Sequence, residues 1–154
     1  MVEQKIFSIK DLAPVISQMV SDGMKVKFTV TGNSMFPLFV SRRDQVTVSK
    51  PDVISKYDIV LHQRSDGTYI LHRVISVKDG MLTIAGDNET TKEKNVSTSQ
   101  VVAKVISFVR KGNVHSTESF WYKLYSRVWL AIFPFRRTVL VTLILARRLL
   151  LGKK

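Results

Sequence analysis

Residues 25–30 read KVKFTV. Val26, Phe28 and Val30 alternate with Lys25, Lys27 and Thr29, the period of two that a strand shows when one face is buried and the other is wet. The pattern decides the fold because the chain repeats it. DQVTVS (44–49), DIVLHQ (58–63), TYILHRVISV (68–77), MLTIAG (81–86) and VVAKVISFV (101–109) are all short and rich in valine and isoleucine. Turn residues such as SDG (65–67) and KDG (78–80) bound them. Six short strands with brief connections predict a mainly antiparallel β domain, a barrel or a folded sheet. NETTKEKNVSTSQ (88–100) reads as a polar loop before the last strand.

Upstream of the first strand, residues 9–22 place Leu12, Val15, Ile16 and Met19 on one helical face. Ser8 is a candidate cap, and Pro14 predicts a late start, since proline suits the first turns of a helix. The early acids and the lack of a long apolar run do not fit a secretory signal.

Downstream the composition changes. The chain has 154 residues, a net charge of +12 and no cysteine. Disulfides, cysteine nucleophiles and thiolate metal sites are therefore excluded. Residues 104–154 hold 11 Lys/Arg and a single acid, Glu118, and so carry +10 of the net charge. We read residues 1–112 as the β domain with its helix and residues 113–154 as a basic, apolar helical tail. In residues 120–133, Lys123, Ser126 and Arg127 share a face, with Trp121, Leu124, Val128, Trp129 and Ile132 opposite. Pro134 breaks or kinks this helix. Arg136 and Arg137 begin the next piece and Arg147 and Arg148 end it, and the residues between span only ~14 Å as a helix. No uninterrupted run reaches the ~18–20 apolar residues of a spanning helix. An amphipathic helical hairpin on an anionic membrane surface is the expectation, with Trp121 and Trp129 at headgroup level and the four arginines on lipid phosphate. Dense basic flanks point to peripheral association with the cytoplasmic face. Nucleic acid is disfavoured, because the charges flank apolar runs and do not spread over a polar face.

The loop after the first strand, TGNSMFPLF (31–39), sets Ser34 inside an apolar segment. A serine hydroxyl is a poor nucleophile unless a base activates it. His72 lies inside a strand, with Arg73 pointing to the opposite face by alternation. A histidine base needs an acid to hold its tautomer, and Asp87 follows in a turn, AGDNE (85–89).

In order and content these stretches resemble the boxes of signal peptidases. GNSMFP is similar to their nucleophile box, and KYDIVLH to the strand that follows, with Tyr57 where the family prefers glycine. ILHRVISV is similar to the base box and AGDNE to the Gly-Asp-Asn box. The match covers roughly residues 25–110. The bacterial-type enzymes and LexA-like self-cleaving repressors use a lysine base, which burial must first make less basic. Here the position holds His72, as in the archaeal and endoplasmic-reticulum branch, and imidazole already titrates near neutrality. The resemblance implies the folded β-sheet or barrel of that superfamily and a serine endopeptidase that cleaves a leader or precursor peptide after a small residue. Ser34 would be the nucleophile and His72 the base, with Asp87 or, six residues on, Glu93 as the acid. Gly32, Asn33 and Met35 would line the oxyanion and substrate positions. No cofactor or metal is implied. A self-cleaving regulator is disfavoured by His72 and by the lack of a helix-turn-helix before residue 25. A non-catalytic membrane- or partner-binding module on the same fold is the reading from a different class.

Overall fold

The computed structural model describes residues 9–151. The fold is mainly β: an eight-stranded antiparallel sheet with a helix before it and two helices after it. The elements are α1 (Ile9–Ser21), β1 (Val26–Thr29), β2 (Gln45–Ser49), β3 (Ile59–Gln63), β4 (Tyr69–Lys78), β5 (Met81–Ala85), β6 (Glu93–Ser97), β7 (Val101–Arg110), β8 (Asn113–Ser116), α2 (Phe120–Ala131) and α3 (Arg136–Leu151). The sheet runs β1-β2-β7-β3-β4-β5-β6, and β8 pairs with β7. Register shifts at Thr47/Val48, Leu61/His62, Val74/Ser76 and Leu82/Ile84 let it bend. Arg64, just after β3, reaches Glu93 at the start of β6, so the outer strands curl back over the middle.

All six strands read from the alternating pattern are present. The polar loop contains a seventh, β6, whose only fully buried residue is Val96. An edge strand with one apolar anchor has no period to read. The exposed β8 was equally silent, and it carries the sheet past residue 112 to Ser116. α1 already includes Ile9, so Pro14 falls in its second turn and the helix does not start late. The Ser8 cap lies outside the described residues.

Two apolar cores result. The larger gathers Ile16 and Val20 of α1, Met35, Leu38 and Phe39 of the serine loop, and inward residues of β1, β2, β3, β4 and β7. The smaller lies inside the curl and holds Val60, Val74, Leu82, Ile84 and Val96.

The tail helices dock on the β domain, and α2 does so without most of the apolar face of its helical wheel. α2 buries Tyr122, Ser126 and Trp129 and leaves Trp121 75% exposed, with Leu124 and Val128 outward as well. On the docked face the Arg73 guanidinium donates to the hydroxyl oxygens of Tyr122 and Ser126. A buried cation needs such partners, and this rotation of α2 supplies two of them.

Candidate active site

The serine loop is held from three sides. Met35, Leu38 and Phe39 anchor it in the main core. Inside the loop, the Phe36 N–H donates to the Asn33 carbonyl (3.1 Å) and the Phe39 N–H to the Met35 carbonyl (2.9 Å). From outside, the Asn88 N–H donates to the Ser34 carbonyl at 2.8 Å. Gly86 permits this approach, since a Cβ there would collide with the same carbonyl oxygen. The Gly-Asp-Asn turn is thus a brace for the backbone of Ser34.

His72 sits opposite Val60 in the β3–β4 ladder and is 1% exposed. It and Ser34 line one cavity of about 210 Å³, walled by Phe28 of β1 and Val30 just after it, by Met35, and by Leu71 and Glu89. Glu89 Oε1 lies 3.3 Å from His72 Nε2. Glu89 Oε2 accepts the Gly86 N–H at 3.2 Å. The imidazole contact holds the Glu89 carboxyl below its ordinary range, against the opposing effect of partial burial. A larger cavity of about 580 Å³, beside α1 and lined by Lys50, Arg64 and Gln100, contains neither Ser34 nor a histidine.

The two acids expected beside His72 are engaged elsewhere. Asp87 is fully buried, and its carboxylate takes Arg73 Nε and Nη2, each at 2.8 Å, and the Tyr125 hydroxyl at 3.2 Å. Burial alone would make Arg73 less basic, but the Asp87 carboxylate more than reverses this and the guanidinium is held more basic than usual. Glu93 takes Arg64, with Nη2 at 2.6 Å and Nε at 3.0 Å. The acid beside His72 is Glu89, two residues past Asp87. Its signal in the sequence was only its place at the end of AGDNE, where the familiar aspartate drew the eye.

Met35 is buried in the core and also borders the cavity, while Asn33 is exposed. The Gly32 N–H donates to Ser41 Oγ at 3.1 Å, so it is not free to meet an oxyanion. Gly32 instead supplies the left-handed turn, with φ at +85°.

His62 ends the stretch KYDIVLH and lies on β3. It is fully buried and pairs with Ile70, which puts it diagonally across from His72 on the same face of β3–β4. The ring centroids are 5.7 Å apart. Burial first, then repulsion from His72, pushes the His62 pKa down to about 4.

The residues expected on a membrane divide into two groups. Trp121, Arg137, Arg147 and Arg148 are exposed. Trp129 is buried, with Nε1 donating to the Asp87 carbonyl at 3.1 Å. Arg136 is also buried and donates to the carbonyls of Gly86 (3.0 Å), Glu89 (3.2 Å) and Trp129 (3.1 Å). Both therefore hold the tail onto the Gly-Asp-Asn turn and are unavailable to lipid. Neither a protein-family model nor a curated protein matches this chain.

Proposed function

We propose that the chain is a serine endopeptidase of signal-peptidase type that cuts a leader or precursor peptide after a small residue. The observation that carries this reading is the shared cavity of Ser34 and His72, with the Glu89 carboxylate 3.3 Å from the imidazole. Ser34 Oγ attacks the scissile carbonyl carbon while His72 takes its proton. The Ser34 N–H serves as a backbone donor to the oxyanion. Collapse breaks the C–N bond, and His72 returns the proton to the leaving amine. Water then releases the acyl group by the same route. Glu89 stabilises the imidazolium in between.

Two strand edges flank the cavity. Among the described residues β1 pairs only with β2, and β4 pairs with β5 only from Arg73 onward. An extended peptide can lie between the open edge of β1 and that of Tyr69–Leu71 by main-chain hydrogen bonds. A cavity of about 210 Å³, below the usual ~300–1,000 Å³ of ligand pockets, suits a small side chain.

The exposed side of the tail supports a peripheral place on an anionic, cytoplasmic membrane surface. Phe120, Trp121, Val128 and Phe135 project outward, as do Leu149, Leu150 and the three exposed arginines. No single described helix is long and apolar enough to cross a membrane, although α2 and α3, bent by 64°, pass that test as a pair.

The test incubates the purified chain with a library of extended peptides and maps the cuts by mass spectrometry. Cleavage after small residues is expected from the wild type and is lost in Ser34→Ala and His72→Ala. Undiminished cleavage by Ser34→Ala ends the peptidase reading. Co-sedimentation with vesicles containing anionic lipid, reduced by Trp121→Ser with Arg147→Ser and Arg148→Ser, tests the membrane reading. Equal sedimentation of that triple variant contradicts it.

A further inference from the structure

Within the curl of the sheet, His62, His72 and Glu93 converge. One donor atom from each lies within 4.8 Å of the other two. His62 Nε2 is 3.8 Å from Glu93 Oε1. Strand register fixes the histidines: His62 faces Ile70, His72 lies two residues further along β4, and the rings share a face. Glu93 opens β6, the strand that the curl brings back over β3.

The histidines are the anomaly. Among the described residues neither nitrogen of either ring has a well-formed hydrogen bond, although both side chains are buried. Buried polar groups are nearly always hydrogen-bonded, and two adjacent buried imidazoles without a well-formed hydrogen bond, near Glu89 and Glu93 only as loose ion-pair contacts, need an explanation. Catalysis by Ser34 uses one of them and gives His62 nothing to do.

We propose that His62, His72 and Glu93 bind a divalent transition metal ion of the zinc class, and that the ion competes with Ser34 for His72. Two imidazoles and one carboxylate select zinc-like ions over calcium or magnesium, which prefer all-oxygen sites. Tetrahedral coordination with bonds of ~2.0–2.2 Å sets donors about 3.4 Å apart, so the three must close by about an ångström. Glu93 is partly exposed and can turn while Oε2 keeps Arg64, which it holds at 2.6 Å. The Arg64 charge opposes the ion. Glu89, with Oε1 3.3 Å from His72 Nε2, lies outside the three-donor cluster and leaves the fourth position to water. An ion held by the His72 lone pair occupies the electrons that would accept the Ser34 proton, so the metal-bound protein is switched off at the acylation step. The site itself stands apart from the peptidase reading, and only the competition rests on it.

The experiment uses the full chain without an affinity tag, stripped of metal. Zinc binding is followed by calorimetry, and cobalt binding by the visible absorption of a tetrahedral ion. A single ion per chain is expected, bound about tenfold or more weakly by His62→Gln and by Glu93→Gln. Glu93 is partly exposed, so its variant keeps the test valid if His62→Gln does not fold. No binding at submillimolar zinc, or undiminished affinity in a folded variant, overturns the site. Labelling of Ser34 by an acylating probe is then timed with and without zinc. Each protein is compared with its own metal-free rate. Zinc is expected to slow the wild type about tenfold or more and to leave His62→Gln within about twofold. Binding without slowing overturns the competition. Absence of labelling without metal counts against the peptidase reading alone, because calorimetry still decides the site.

Discussion

His72 and Arg73 are neighbours on β4, and each is 1% exposed. Arg73 has a partner at every turn: Asp87 twice at 2.8 Å, Ser126 Oγ at 2.8 Å, the Tyr57 carbonyl at 3.1 Å and the Tyr122 hydroxyl at 3.3 Å. The rings of Tyr122 and Tyr125 stand 5.7 Å from it. His72, on the other face, has one ion-pair contact to a partly exposed acid and an open cavity. Burial is the same on both faces, and satisfaction is not. A buried charge with every bond made locks the tail to the sheet. A buried base with bonds left over can still exchange a proton.

Substitutions on the two faces should separate chemistry from stability. The largest effect is expected from His72→Gln, which removes the base and lowers the Ser34 acylation rate by about 10²–10⁴-fold. Its unfolding free energy by urea titration should stay within about 1 kcal/mol of the wild type. On the other face, Arg73→Met leaves Asp87 buried and unpaired. It should cost about 3–5 kcal/mol in the same titration, since one partner of a buried pair is gone. If Arg73→Met unfolds no more easily than the wild type, the comparison collapses.

A smaller effect is expected at Glu89. Glu89→Gln keeps the shape and removes the charge that orients the imidazole, with a loss of about 10²-fold in acylation. Its carboxyl is held below the usual range by His72, so its contribution to stability is present above the unfolded carboxylate range and is lost as pH falls through the folded value. The stability gap between wild type and Glu89→Gln should therefore close on acidification, and a gap that widens would remove Glu89 from this role. The smallest effect belongs to Tyr57, whose φ of +81° lies in the left-handed region. Relief of about 1 kcal/mol or less is expected for Tyr57→Gly, because the gain is partly offset by the greater freedom of glycine in the unfolded chain. Thermal denaturation reads it.

These residues also show what a sequence can carry. The strands of 25–30 and 68–77 were legible because alternation is written into side-chain type. That Ser34 and His72 line one cavity was legible because their surroundings resemble the boxes quoted above. The acid was not. Asp87 and Glu89 stand two residues apart in one turn, and only the path of that turn decides which faces His72 and which faces Arg73. The buried side of α2, with Ser126 and Trp129 in it, was not legible for a related reason. The partners of Ser126 and Tyr122 lie on β4, far away in sequence, and a wheel drawn from one helix does not contain them. The same holds for Trp129 and Arg136, whose hydrogen bonds to the Gly-Asp-Asn turn are long-range. β6 went unseen because its neighbours, not its own pattern, make it a strand.

The central claim is that Ser34 is activated by the unsatisfied face of β4. The most direct measurement is the second-order rate of Ser34 phosphonylation by an organophosphonate probe, with the modified residue located by mass spectrometry, in wild type, Ser34→Ala, His72→Gln and Arg73→Met at a temperature where all are folded. The account predicts labelling at Ser34 in the wild type and none in Ser34→Ala. It predicts a rate about 10²–10⁴-fold lower in His72→Gln, with folded Arg73→Met the closer of the two to wild type. Equal rates in wild type and His72→Gln, or labelling that persists in Ser34→Ala, would contradict it.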